Sequence, residues 1–176
     1  MEMTQRIGVR QAGMVLLISL VFLLLLSLIG LSSMQGAVSQ QKMAASLWHR
    51  NQSLQSAESG LRLGESNVQR AFAALPVCQS VATCAPPGEA LLLIGAGANP
   101  VSGVDWIALK GGFYGIQSLG EAVGLAHLPP QAVANVYRVT AVGLSGQSRT
   151  VLESVYARLM EEGGPRFRRV AWRQVQ

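Results

Sequence analysis

The chain has 176 residues, which allows one modest domain beside a membrane segment. Apolar residues make up 49% of it and charged residues 13%, against about 25% charged in soluble domains; one apolar run causes much of this difference. The net charge is +5, but no Lys/Arg stripe interleaved with aromatics runs through the middle of the chain, which argues against a nucleic-acid-binding face.

The apolar run, residues 14–31, predicts a transmembrane helix. At about 1.5 Å per residue it spans roughly 27 Å, close to the thickness of the hydrocarbon core. Arg6 and Arg10 precede it with only Glu2 to offset them, so the positive-inside rule predicts a cytoplasmic N-terminus and places the rest of the chain across the membrane. A cleaved signal peptide is the alternative, although residues 32–46 offer no persuasive cleavage site.

The boundary of this run is abrupt, because the sequence changes from RQAG to MVLLI in one step at Gly13. The junction resembles the class III leader of type IV pilins and pseudopilins, which a membrane-embedded prepilin peptidase cuts after the Gly before methylating the new amine. The resemblance implies a leader over residues 1–13, cleavage between Gly13 and Met14, and N-methylation of Met14. Most members begin with Phe at this position, so Met14 is a variation.

The fifth residue after the predicted cut is Ile18, where the family usually carries a Glu. In the family this Glu is thought to pair with the N-terminal amine of a neighbouring subunit, and an acid at membrane depth is costly enough to indicate function. The exceptions in the family are minor pilins and the K-type pseudopilin, which sit at a filament tip. Ile18 therefore favours a tip or initiating subunit over a major pilin.

Residues 32–75 predict an amphipathic continuation of the same helix. One apolar residue recurs every seven positions, with the small residues Ala57, Gly64 and Ala71 between the larger ones, and Glu65 falls on the opposite, solvated or subunit-facing side. The predicted core stripe consists of Leu47, Leu54, Leu61, Val68 and Leu75. A coiled coil is the alternative to this intramolecular core, but Gly64 would make a poor seam.

Two cysteines, Cys78 and Cys84, lie in a Pro-rich loop. Their spacing differs from the C-x-x-C of zinc and redox sites, and no His lies nearby to complete a metal set. A small disulfide loop is expected if this part of the chain is outside the cytoplasm, with two unrelated thiols as the alternative.

The last third predicts an antiparallel hairpin, because residues 136–141 and 151–156 alternate in polarity around a Gly-containing turn. The helix stripe would cover its apolar face, which predicts an α+β fold: a long N-terminal helix packed on an antiparallel sheet. The expected head covers residues 76–160. Residues 161–176 form a basic tail that either docks on an acidic neighbour or lipid surface, or is solvated and partly disordered; their alternation is too irregular to indicate a strand.

Three stretches together resemble the PilX-type minor pilins: the N-terminal run, QSLQSAESGLR on the helix, and YRVTAVGLSG with TVLESVYAR in the hairpin. Residues 76–130 carry no such motif. The resemblance implies a single-pass inner-membrane protein with a periplasmic head that then enters the pilus. Its implied partners are the prepilin peptidase, other minor pilins, the major pilin, the inner-membrane assembly platform and the lipid bilayer.

Two other classes compete with this interpretation. A K-type pseudopilin of type II secretion would need a large inserted helical domain, and a signal-anchored periplasmic binding protein would lack leader processing. His49 and His127 have no acid or nucleophile at a suggestive spacing, and we find no triad, metal cluster or phosphate loop. The sequence therefore predicts neither an enzyme nor a bound cofactor.

Overall fold

The computed structural model describes residues 12–71 and 75–176, without the side chains of Ala12 and Ala71. Residues 1–11 of the predicted leader and residues 72–74 of the predicted helix lie outside the described residues. The elements are helix α1 (Ala12–Ala71), helix α2 (Val81–Cys84), a 3-10 turn (Gly88–Leu91), and strands β1 (Gly97–Ala98), β2 (Asp105–Leu109), β3 (Gly112–Ala122), β4 (Ala134–Ser145), β5 (Ser148–Glu161) and β6 (Gly164–Gln174). The chain divides into two compact units, one ending at Ala45 and the other, Ser46–Gln176, forming the head.

The head is an α+β structure, as predicted, with a helix packed on one antiparallel sheet. The six strands follow one another in chain order across the sheet, each paired with the next. The pair expected at residues 136–156 is β4 and β5, which are joined at Gly146, where φ is +55°. Glycine is the residue best suited to this left-handed turn position. This meander buries one face under α1 and leaves the other to the connecting segments.

The helix-facing core combines α1 with alternate residues of β3, β4 and β5. Leu61 and Val68 are buried there, while Leu54 and Leu75 are half-buried against the same cluster. Leu47 differs from the prediction, since 60% of its side chain is exposed. The end of β4 reaches the helix only two residues later, where the Nδ1 atom of His49 lies 2.9 Å from the Ser145 hydroxyl, so Leu47 lies beyond the end of the sheet.

Helix α1 approaches the sheet closely at its small residues. A Cβ atom placed on Gly64 would lie 2.3 Å from Cγ1 of Val139, and one on Gly143 would lie 1.8 Å from the Ser53 carbonyl oxygen. Neither distance leaves room for a methyl group. The small positions therefore set the distance between helix and sheet, as the alternation of large and small residues in α1 predicts.

The opposite face of the sheet is covered by connecting segments. The segment before β2 packs Ala90 and Leu93 against Trp106, which is fully buried. The β3–β4 connection packs Leu125 and Leu128 over a second cluster. The stretch that carried no recognisable motif thus supplies the second layer of the core.

Residues 164–174, expected as part of a tail, form β6 at one edge of the sheet. The strand pairs with β5 along its whole length, and its register shifts by one residue opposite Val155 and Tyr156. Such a bulge interrupts the period-two pattern, which explains why the sequence did not indicate a strand. The interpretation as a partly disordered tail is therefore wrong, and the head extends beyond residue 160.

Candidate assembly surfaces

The first part of α1 is an apolar helix that packs against no other element among residues 12–71 and 75–176. All its large apolar side chains from Met14 to Leu31 are exposed, by 46–71%. Gly13–Arg70 is long and apolar enough to cross a membrane, and the most apolar window has a mean hydropathy of 3.0 with none of it buried. The polar interruption at Ser19 is satisfied within the helix, since its hydroxyl donates to the Leu16 carbonyl at 2.8 Å. The segment is built to face lipid or other apolar helices.

The predicted processing site lies at the beginning of this helix. Gly13 and Met14 are the second and third residues of α1, and a Cβ on Gly13 would meet nothing within 4 Å. Ile18 lies within the same apolar surface and is half exposed. The first acid of the chain after Glu2 is Glu58, more than eleven helical turns beyond Ile18 at about 3.6 residues per turn.

In the head, the Glu65 side chain of α1 is buried against β5 and β6, and not on a solvated or subunit-facing side as predicted. The Nε and Nη2 atoms of Arg169 each donate to its carboxylate at 2.8 Å, and the Ser154 hydroxyl donates a third hydrogen bond at 2.8 Å. The Glu65 side chain is 11% exposed and that of Arg169 is 43% exposed. The hydrogen bonds to Glu65 raise the pKa of Arg169 above its ordinary value. A bidentate pair of this kind fixes β6 against the helix.

On the other face of the sheet, Glu153 occupies a similar position between two arginines. Arg138 approaches it at 3.4 Å from β4, and Arg173 at 3.0 Å from β6. Burial lowers the pKa of Arg138, and the Glu153 charge acts in the opposite direction. Arg173 is more than half exposed, so it lies between the buried Glu153 carboxylate and solvent. Strand β6 is therefore held by an arginine–glutamate pair on each face.

The disulfide joins Cys78 and Cys84, with their Cα atoms 5.2 Å apart. It closes a loop that is hydrogen-bonded to the sheet: the Cys84 carbonyl accepts from Nη1 of Arg138 at 2.7 Å, and the Cys78 amide donates to the Ser118 carbonyl at 2.8 Å. A groove of about 700 Å³ runs beside the loop, along β3 near Gln117. The loop fixes the connection between the helix and the second layer.

The two histidines lie in different parts of the head. His49 contacts the β4–β5 turn, and His127 occupies an exposed loop position at φ +63°. Among residues 12–71 and 75–176, no group of three or more His, Cys, Asp or Glu is arranged to hold a metal ion. The sequence did not indicate that Glu65 and Glu153 pair with arginines of β6, because these pairs join residues far apart in the chain and no local pattern encodes them.

Residues 12–62 match the family model described as PilX N-terminal. This segment is similar to the N-terminal segment of PilX-type type IV pilins. No match to the chain was found among curated proteins or solved structures. The matched segment covers the exposed apolar helix and the first part of the helix that packs on the sheet.

PilX-type pilins are structural subunits, and the surfaces described above fit that role. The exposed apolar helix fits a membrane-anchored pilus subunit that contacts other pilus components. The α+β head with its disulfide fits the same family.

Proposed function

We propose that this chain is a minor pilin that primes type IV pilus assembly or sits in the tip complex. Prepilin peptidase would cut after Gly13 and methylate Met14, and the apolar helix would then leave the inner membrane for the pilus core. The head would make lateral contacts with other minor pilins and with the first major pilins. The observation that carries the proposal is Ile18 within a segment that matches the PilX N-terminal family.

The absence of an acid in this part of α1 supports the tip position. In the pilin family the usual Glu of the shaft subunits is thought to pair with a neighbour's amine, and α1 offers no carboxylate before Glu58. An uncharged helix enters the lipid at lower cost, but it lacks that pairing. A subunit that begins the filament needs no such pairing ahead of it.

The architecture of the head weighs against a K-type pseudopilin. Within residues 75–176, the helical elements are α2 and one 3-10 turn of four residues each. The longest stretch between two long strands is the β3–β4 connection, residues 123–133. No inserted helical domain is present in this part of the chain.

The N-terminus tests the processing step. Mass spectrometry of the protein extracted from membranes and from sheared pili should find an N-methylated Met14 as its first residue. A Met1 terminus in cells with active prepilin peptidase would contradict the proposal. A terminus near Ala37 or Ser39 would instead indicate a cleaved signal peptide.

Deletion and substitution test the position in the pilus. Deleting the gene should reduce surface pili without lowering the amount of major pilin in the membrane. Ile18→Glu should raise the ratio of this chain to major pilin in sheared pili, because the new acid allows entry into the shaft. Ile18→Gln, which is polar but uncharged, is the matched control and should leave that ratio unchanged. Normal piliation in the deletion strain, without a second copy of the gene, would contradict a priming role.

A further inference from the structure

Strand β6 is the outermost strand of the sheet and is paired on one side only. In the described part of the chain, no strand lies beyond it. Val151 exchanges backbone hydrogen bonds with Val175 and Gln176 at 2.8 and 2.9 Å. Because the bonds of an antiparallel ladder alternate, the backbone N–H and C=O groups of Trp172 and Gln174 point away from β5. An edge of this kind is a template for a further strand.

This edge is rigid, because β6 is fastened on both faces. Arg169 binds Glu65 on the helix side, and Arg173 binds Glu153 on the other side. Phe167 adds apolar contact with the main core. A partner that added to this edge would therefore meet an already ordered strand, which reduces the entropy lost on binding.

The charge of β6 indicates what kind of strand it accepts. It contains four arginines and no acid. The side chain of Arg166 is 60% exposed although it pairs with Glu161. Arg168 is exposed, and within residues 12–71 and 75–176 no ion pair or side-chain hydrogen bond engages it. A carboxylate on an added strand would find Arg168 available.

The same charge disfavours a second copy of this chain as the partner. Pairing two β6 edges antiparallel would bring arginines opposite or diagonal to arginines, and like charges across a strand pair are destabilising. Pro165 and the bulge beside Val155 limit the usable edge to the two short stretches on either side of the bulge. These features disfavour pairing of the β6 edge with another basic strand or with a long uninterrupted strand, and they favour a short acidic strand.

We propose that the outer edge of β6 binds an extended acidic segment of a different protein by strand addition, with Arg168 receiving a carboxylate. Backbone hydrogen bonds would supply affinity, and the arginines would supply selectivity and rapid association at low salt. The proposal rests on the head alone and does not depend on a tip position in the pilus.

Fluorescence anisotropy tests the proposal with the full chain in detergent micelles. The probe is a short labelled peptide that alternates Glu with Val and Thr. We expect it to bind the unaltered chain and to bind Arg168→Glu about tenfold or more weakly, with Arg168→Gln in between. Arg62→Glu, which makes the same charge change on the exposed side of α1, should bind within about twofold of the unaltered chain. Circular dichroism checks that each variant is folded.

The same peptide with N-methylated amides separates strand addition from simple charge attraction. It keeps every carboxylate but cannot form the backbone ladder, so it should lose binding. Equal binding of both peptides, equal weakening by the changes at Arg62 and Arg168, or no binding at all would each overturn the proposal. Self-association of the unaltered chain in sedimentation that the acidic peptide cannot displace would make a second copy the partner and would also overturn it.

Discussion

Replacing Arg169 tests whether the buried Glu65 carboxylate needs an arginine of β6 to be accommodated in the folded head. In Arg169→Ala, Glu65 loses two hydrogen bonds of 2.8 Å and its only ion-pair partner among the described residues. The Ser154 hydroxyl alone remains to solvate a side chain that is 11% exposed. Removing one member of such a pair is more damaging than the net value of the pair, because a charge is left in a poorly hydrated position.

The expected loss follows from the geometry of the pair. A hydrogen bond to a charged group contributes about 1.5–3 kcal/mol when it is well shielded from water. The Arg169 side chain is 43% exposed, so solvent screens the pair and the lower part of that range applies. We expect Arg169→Ala to lower the free energy of unfolding of the head by about 1.5–2 kcal/mol. At about 4 °C per kcal/mol for a head of this size, the midpoint of thermal unfolding should fall by about 6–8 °C.

Urea unfolding of the full chain in mild detergent measures this loss, with near-ultraviolet circular dichroism as the signal. Arg169→Lys keeps the charge but not the planar fork, so it should lose about half as much stability. Arg62→Ala removes an exposed arginine from the same helix and should change stability by less than about 0.5 kcal/mol. Hydrogen exchange should show earlier loss of protection at residues 166–174 than in β4.

The pH dependence supplies a second check. The pKa of Arg169 is raised above its ordinary value, so its contribution is fully present below that ordinary value and disappears only as the pH rises through the raised folded pKa. The stability difference between the unaltered chain and Arg169→Ala should therefore be the same at neutral and moderately alkaline pH. A loss no larger than that of Arg62→Ala, or a difference that vanishes between these two conditions, would refute the reasoning.

Three further predictions concern the packing of the head and helix. Leu61→Ala should cost about 2–5 kcal/mol, because its side chain is buried, whereas Leu47→Ala, at an exposed position of the same stripe, should cost less than about 0.5 kcal/mol in the same urea assay. Gly64→Ala should destabilise the head by about 1–3 kcal/mol, because the added Cβ would lie 2.3 Å from Val139. Gly36→Ala has nothing within 4 Å of the added Cβ and should raise the helix content measured by circular dichroism. Stabilisation by both changes would contradict the close packing at Gly64. Removing both cysteines, as Cys78→Ser with Cys84→Ser, should lower the free energy of unfolding by about 2 kcal/mol in the urea assay. It should also loosen the contact of Arg138 with the Cys84 carbonyl, which hydrogen exchange near residue 84 would detect. An unchanged urea midpoint would contradict a structural role for the loop.

The long helix and the β4–β5 pair could be predicted because their patterns are local. The apolar run is long enough to predict a helix from its composition alone, and the register of β4 and β5 runs without a bulge across their paired residues. The sequence also indicated that small residues of α1 face the sheet, which the buried positions of Ala57 and Gly64 bear out. It could not indicate where the sheet ends, and so it could not show that Leu47 lies beyond it.

The remaining strands carry weak or broken patterns for physical reasons. Strand β3 contains Gly112, Gly115 and Gly120, which reduce strand propensity, yet a Cβ on Gly115 would lie 2.3 Å from Val104. The glycine is thus required by a contact that only the folded chain reveals. In β6 the bulge reverses the phase of the alternation, so arginines occur on both faces and the pattern resembles a charged tail.

The burial of Glu65 and Glu153 connects these observations. Each glutamate lies on a different face of the sheet, and each is neutralised by an arginine of β6. Without β6 both carboxylates would lose a partner and β5 would become the edge, so β6 is an integral strand of the head. The basic C-terminal segment therefore cannot search for a partner as a flexible tail. If it takes part in assembly, it does so as an ordered edge whose position is fixed by the pairing of Arg169 with Glu65 and of Arg173 with Glu153.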